Sequence, residues 1–267
     1  MPAQEASIAV GGRNMVYITF GNGKKPFVIL AGMSMAGIRG LGEAVAAAYD
    51  VFTRDYTVWL FDRADVLPEG YDTFALAEDI AGAMTHLGIR DADVLGVSQG
   101  GMMAQLLAAR HPELVRSMVL CSTACRIGDE ARETLQLWLD AAERRDIPGI
   151  NRSFYERVYP EQFCRDNAAA IESALNVGTM DQCRRFAVLA RAALSFDSRV
   201  LLGDIHCPVL VIGDDTDAVL TGEASRELAR LLGCELYMYS GYGHAVYDLS
   251  PDIKQRMLTF FEVGKSD

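Results

Sequence analysis

The strongest constraint on this chain is the alternation of short apolar runs with amphipathic stretches of helix length. Eight runs of strand length stand at residues 7–10, 15–20, 27–31, 58–61, 94–97, 118–121, 209–212 and 236–239. From the third onward they are nearly continuous in apolar residues, the pattern of parallel strands covered on both faces. The first two alternate apolar with polar and are separated by Gly11-Gly12, which predicts an antiparallel hairpin at the sheet edge. Helical patterns fill most of the intervals. They cover residues 41–52, a stretch capped by Asp72 and stopped by Gly88, residues 99–110, residues 223–232, and a closing helix from Ser250-Pro251 to Phe261. Strand followed by helix, repeated, predicts an α/β protein with an eight-stranded, mostly parallel, doubly wound sheet.

One interval breaks the rhythm. Between Thr123 and Asp204 no strand pattern occurs, only helical patterns at residues 131–144, 152–158, 168–177 and 182–194. This is far longer than an ordinary crossover. Residues 126–199 are therefore expected to form an inserted helical cap over the carboxyl ends of the strands, where open α/β sheets bind ligands. Residues 1–125 and 200–267 then form the core. The insertion carries Leu135, Trp138, Phe154, Tyr155, Met180, Phe186 and Leu189. Each alone reads as a packing residue; as a group they are expected to line an apolar cleft that selects a compact, uncharged acyl group.

Composition removes whole classes of function. With 25 basic and 36 acidic residues the net charge is −11, which disfavours phosphate backbones and anionic membrane surfaces. No apolar run approaches the roughly 20 residues of a membrane span, and the first residues show no basic-then-apolar leader. A cytoplasmic protein acting on a small molecule is expected, with no nucleic-acid or membrane partner. Six cysteines are scattered without a CxxC pair and read as buried, inert thiols. Gly37, Gly40 and Gly42 superficially suggest a dinucleotide fingerprint. They begin too far past the preceding strand, and Val45 occupies the place of the third small residue. No glycine-rich turn ends in Lys-Ser or Lys-Thr, so a P-loop is excluded.

The chemistry concentrates in Gly96-Val97-Ser98-Gln99-Gly100, followed by Gly101, where a strand pattern gives way to a helix. A serine on so tight a turn needs glycines two residues to either side, because a Cβ there would strike neighbouring backbone. The turn lifts the serine oxygen above the sheet beside the helix N-terminus, which marks Ser98 as a nucleophile. Of four histidines, His86 and His111 lie at helix ends, His111 where it would meet terminal carbonyls, and His206 precedes a strand at the wrong sheet edge. His244 follows the last strand in a glycine-rich loop at the correct edge and is the candidate base. The strand at 209–212 runs into Gly213-Asp214-Asp215-Thr216-Asp217. Any of these three acids could orient the imidazole; Asp217 is favoured because it leaves the longest turn to swing back toward His244.

The order Ser98, Asp217, His244 resembles the α/β-hydrolase superfamily, in its group of small cap-bearing serine hydrolases such as esterases and enol-lactonases. The elbow at 96–100, residues 207–217 and Gly243-His244 carry the resemblance, which extends over nearly the whole chain. In the family's G-x-x-D turn the acid place falls on Asp217, with Asp214 in the glycine place. The resemblance implies an α/β-hydrolase fold and an oxyanion hole built from the backbone N–H groups of Met33 and Gln99. It implies cleavage of a carboxylic ester, lactone or thioester through an acyl-enzyme, with no metal or organic cofactor. The same constellation also serves C–C hydrolases, lyases and haloperoxidases, and some members bind ligands without turnover. Two departures stand out. Ala31-Gly32 replaces the family's His-Gly, and residues 62–68 lack its usual glycine–serine pattern.

Overall fold

All eight apolar runs become strands of a single sheet in the computed structural model, which describes residues 2–263. Residue 1 and residues 264–267, the outer ends of the expected core, lie outside the described residues. The strands are β1 (Gln4–Val10), β2 (Arg13–Gly21), β3 (Lys25–Leu30), β4 (Tyr56–Ala64), β5 (Ala92–Val97), β6 (Val115–Cys121), β7 (Val209–Asp214) and β8 (Glu235–Tyr239). Their spatial order is β1-β2-β4-β3-β5-β6-β7-β8. β1 and β2 form the antiparallel hairpin, turning through Gly11 and Gly12 at φ +55° and +76°. β2 also pairs antiparallel with β4, and every later pairing is parallel.

Period-two geometry sorts each strand's side chains onto two faces. Phe27 and Ile29 of β3 pack with Phe52, Tyr56 and Phe261 on one face. Val28 and Leu30 pack with Leu76, Ile80 and Met103 on the other. The first face is covered by α1 (Gly42–Ala48) and α11 (Ile253–Val263), the second by α2 (Thr73–His86), α3 (Gln99–Arg110) and α9 (Gly222–Leu232). The sheet is thus doubly wound. Rings of Phe27, Phe52 and Phe261 meet at centroid distances of 4.5 and 5.4 Å, closing the first face.

Two helices differ from the sequence reading. The pattern at 41–52 resolves into α1 and a single 3-10 turn, Asp50–Phe52, that redirects the chain into β4. The closing helix starts at Ile253 rather than at Pro251. Ser250 is held extended before the proline (φ −71°, ψ 127°), and the carbonyl of Asp252, not of Ser250, accepts the first helical N–H, from Arg256.

Between β6 and β7 lie α4 (Asp129–Glu143), α5 (Ile147–Val158), α6 (Glu161–Asp166), α7 (Ala168–Ala174) and α8 (Met180–Leu194). Helix α5 starts earlier than its apolar pattern because Asp146 accepts from the N–H of Gly149 at 2.9 Å. In α8 Thr179 and Gln182 form a reciprocal capping box. The short α6 has no buried face, so periodicity gave no signal for it. The two ends of this helical excursion meet beyond β6, where Arg126 and Asp197 form an antiparallel bridge. Leu135, Trp138, Phe186 and Leu189 are at most 3% exposed and belong to the same continuous apolar cluster as Leu30 and Leu76. Those four therefore pack a core instead of lining a cleft. Phe154 and Tyr155 are half-buried and Met180 is exposed. Among the described residues, no helix is long and apolar enough to cross a membrane.

Candidate active site

Ser98 sits between β5 and α3 at φ 52°, ψ −123°, a conformation that L-residues rarely adopt and that the surroundings enforce. Its N–H donates to the carbonyl of Cys121 at 3.0 Å, and its carbonyl accepts from Thr123 Oγ1 at 2.7 Å. The flanking glycines are obligatory for the reason their spacing suggested. A Cβ on Gly96 would lie 2.6 Å from Gly101 Cα, and one on Gly100 would overlap the carbonyl of Leu30. Gly101 closes the turn against Thr123 in the same way. The serine side chain itself is only half-buried.

At the same sheet edge, the loops after β7 and β8 converge. His244 Nδ1 and Asp217 Oδ2 are 2.8 Å apart, and both side chains are almost wholly buried. The other oxygen, Asp217 Oδ1, accepts from the N–H groups of Val219 at 2.7 Å and Leu220 at 3.1 Å. Burial pushes this carboxyl up, but the charge and hydrogen bond of His244, with the two backbone donors, hold it below its ordinary range. The group is thus kept anionic where it can fix the imidazole tautomer and balance a positive ring.

The other two acids have different work. Asp215 is exposed and pairs with Arg226. Asp214 is fully buried. One of its oxygens accepts from Thr216 N–H at 2.7 Å, and the other accepts from Tyr242 N–H at 2.9 Å. Thr216 Oγ1 in turn accepts from Gly241 and Gly243 N–H groups at 3.2 and 3.3 Å. Asp214 and Thr216 therefore lash the acid loop to the histidine loop. Residue type alone gave no sign of that role.

The remaining histidines stand apart. His86 and His206 are exposed. His111 does not meet helix carbonyls as expected, because its imidazole turns to Glu78 at 3.1 Å. Among the described residues no hydrogen bond joins Ser98 Oγ to the His244 ring, so the geometry links two of the three expected groups directly. Gly32 lies alongside the serine: a Cβ on it would stand 3.2 Å from Ser98 Cβ. Met33 and Gln99 follow Gly32 and Ser98, both are buried, and neither backbone N–H has a protein acceptor among the described residues. For Gln99 this follows from its place in the first turn of α3. Asp62 and Arg63, which close β4 with charge after an apolar run, are also buried at this edge, where Asp62 Oδ1 pairs with Arg185 of α8 at 2.5 Å. All six cysteines are free thiols, and no cluster of His, Cys, Asp or Glu among the described residues is arranged to hold a metal ion.

Residues 25–166 match the family model described as alpha/beta hydrolase fold. A protein named putative carbamate hydrolase RutD from Azorhizobium caulinodans is 27% identical over 95% of this chain and 97% of its own length. One named 3-oxoadipate enol-lactonase 2 from Acinetobacter baylyi is 26% identical over 77% of this chain and 76% of its own. Among solved structures, an alpha/beta hydrolase enzyme from a Medee basin deep-sea metagenome library superposes with a TM-score of 0.86. It is 20% identical and covers 98% of this chain and 99% of that one.

Proposed function

The chain belongs to the alpha/beta hydrolase fold family, and we propose that within it the protein is a serine hydrolase of a small carboxylic ester. Ser98 is the nucleophile, His244 the base and Asp217 the group that orients and balances the imidazole. The observation that carries this reading is the buried His244–Asp217 pair, 2.8 Å apart, at the sheet edge that also presents the strained Ser98 turn. A serine held at φ 52°, ψ −123° is strained, and projecting its oxygen above the sheet is a use for that strain.

In this reading His244 removes the hydroxyl proton as Ser98 attacks the carbonyl carbon. The tetrahedral oxyanion is received by the N–H groups of Met33 and Gln99, and the leaving alcohol takes the proton from His244. Water, activated by the same imidazole, then releases the acid from the acyl-enzyme. The relatives named for a carbamate and an enol-lactone point to carbonyl substrates open to the same attack, and lactone or thioester cleavage needs no new group. The excursion from 126 to 199 serves as a cap over this edge, with half-buried Phe154 and Tyr155 as its candidates for contact with the acyl group.

Reaction with a fluorophosphonate probe and burst kinetics with p-nitrophenyl acetate test the proposal. Wild type should label at Ser98 and turn over after the burst, and Ser98→Ala should lose both, with turnover lowered on the order of 10⁴-fold or more. Labelling that survives in Ser98→Ala would reject Ser98 as the nucleophile, and a burst without turnover would point to a ligand-binding protein.

A further inference from the structure

We propose that Arg63 is a positioning residue for the oxyanion hole, gripping the peptide unit of one donor and the side chain of the residue that supplies the other. The inference rests on the reading of Ser98, Met33 and Gln99 given above. Arg63, next to last in β4, is 5% exposed and donates from Nη1 to the carbonyl of Gly32 at 3.0 Å. That carbonyl belongs to the same peptide unit as the N–H of Met33. A guanidinium on the oxygen fixes the plane of the unit and polarises its N–H toward a developing anion. From Nη2 the same side chain donates to Gln99 Oε1 at 3.3 Å, and Gln99 Nε2 donates to the carbonyl of Leu189 in α8 at 2.7 Å. One cation thus holds the first donor's peptide and the second donor's side chain, while α8 holds Gln99 from the far side.

The electrostatics single Arg63 out. The carboxylate beside it, Asp62, is ion-paired with Arg185, and Arg63 itself forms no ion pair among the described residues. Its Nε is buried without a hydrogen-bond partner. Desolvation pulls the guanidinium down to about 10, opposed by the charge of Asp62 and helped by that of Arg185. A buried cation with an idle donor is an expensive way to pack a strand end. One of its two bonds falls on Gly32, the residue after the position where the family places a histidine and this chain has Ala31. Arg63 supplies, from β4, the anchoring that Ala31 cannot.

The test compares Arg63→Lys, Arg63→Met and Gln99→Met with wild type, with folding checked by circular dichroism. Four quantities are measured. They are kcat and KM for p-nitrophenyl acetate, inhibition by a trifluoromethyl ketone that forms an oxyanion adduct with the serine, and inhibition by the matching alcohol, which cannot. Arg63→Met and Gln99→Met should lower kcat and ketone affinity together, by ~10- to 100-fold, while KM and alcohol affinity stay close to wild type. Arg63→Lys, which keeps the charge but has a single donor nitrogen in place of the fork, should recover part of the loss. If Arg63→Met does not fold, Gln99→Met decides. Equal losses for ketone and alcohol, or unchanged kcat in a folded variant, would overturn the positioning role. If wild type fails to label at Ser98, the reading of the site falls and this inference with it. If it labels and the variants behave as wild type, the Arg63 inference alone fails.

Discussion

His244 Nδ1 lies 2.8 Å from Asp217 Oδ2, inside a shell that leaves both side chains almost no contact with water. Three acids stand at the end of β7 and in the loop after it, and their partners predict three different outcomes on conversion to asparagine. Asp217→Asn keeps the shape but gives the imidazole an amide, and should lower kcat/KM on the order of 10⁴-fold. Asp214→Asn sets an NH₂ among the N–H groups of Thr216 and Tyr242, and should give an intermediate loss with a lowered Tm. Asp215→Asn, on an exposed pair, should leave both near wild type. Ester hydrolysis and thermal melts of the three variants check the order; equal effects would remove the distinction.

Acid stability follows from the same carboxylate. Its folded-state pKa is depressed, so Asp217 contributes stability that is present above the unfolded value of about 4 and is lost as pH falls through the lower folded value. The Tm difference between wild type and Asp217→Asn should be largest near neutrality and shrink progressively in melts below about pH 4. A difference that stays constant down to pH 2 would contradict this.

The elbow glycines offer a stability test independent of activity. In Gly100→Ala the new methyl meets the backbone carbonyl of Leu30, which cannot swing away without disturbing β3, and the cost should be about 3 kcal/mol or more. Gly203→Ala, with nothing within 4 Å of the new carbon, should change stability by no more than about 0.5 kcal/mol. Denaturant unfolding of the pair provides the comparison.

Trp138 reports on how the helical excursion is held. It is 3% exposed, meets the tilted rings of Phe154 at 5.6 Å and Phe186 at 6.3 Å, and belongs to an apolar cluster continuous with the sheet's. Trp138→Ala should therefore cost about 3–5 kcal/mol and lower one cooperative transition seen alike by far- and near-ultraviolet circular dichroism. Two separated transitions would mean that the excursion unfolds on its own.

How much of this the sequence disclosed follows from the range of the interactions. Strands such as β5 and β7 are buried along their whole length, so an apolar run of strand length is a direct readout of burial on both faces. The Ser98 turn was equally legible, because its steric demands fall on residues two positions away. The start of α11 is not legible locally, because Ser250-Pro251 satisfies the preference for a helix start while the first helical bond is accepted by Asp252. The grip of Arg63 on Gly32 and Gln99, and of Asp214 on Tyr242, joins segments 28 to 36 residues apart, and no local spacing encodes either. The one hint was charge ending the apolar run of β4. Residue type alone likewise could not say that Leu135 and Phe186 face inward, because a packing face and a binding face are both apolar.

The bridge between Arg126 and Asp197 brings the two ends of the helical excursion side by side. A detour that begins and ends at one point is topologically a side loop: it can lengthen, shorten or be exchanged while the strand order stays as it is, and added length costs only logarithmically in closure entropy. This gives the fold a natural splice junction for recombining one sheet with different helical excursions. The graft would have one strict requirement. Any replacement must bring an acceptor to the place of the Leu189 carbonyl, or Gln99 loses its outer anchor.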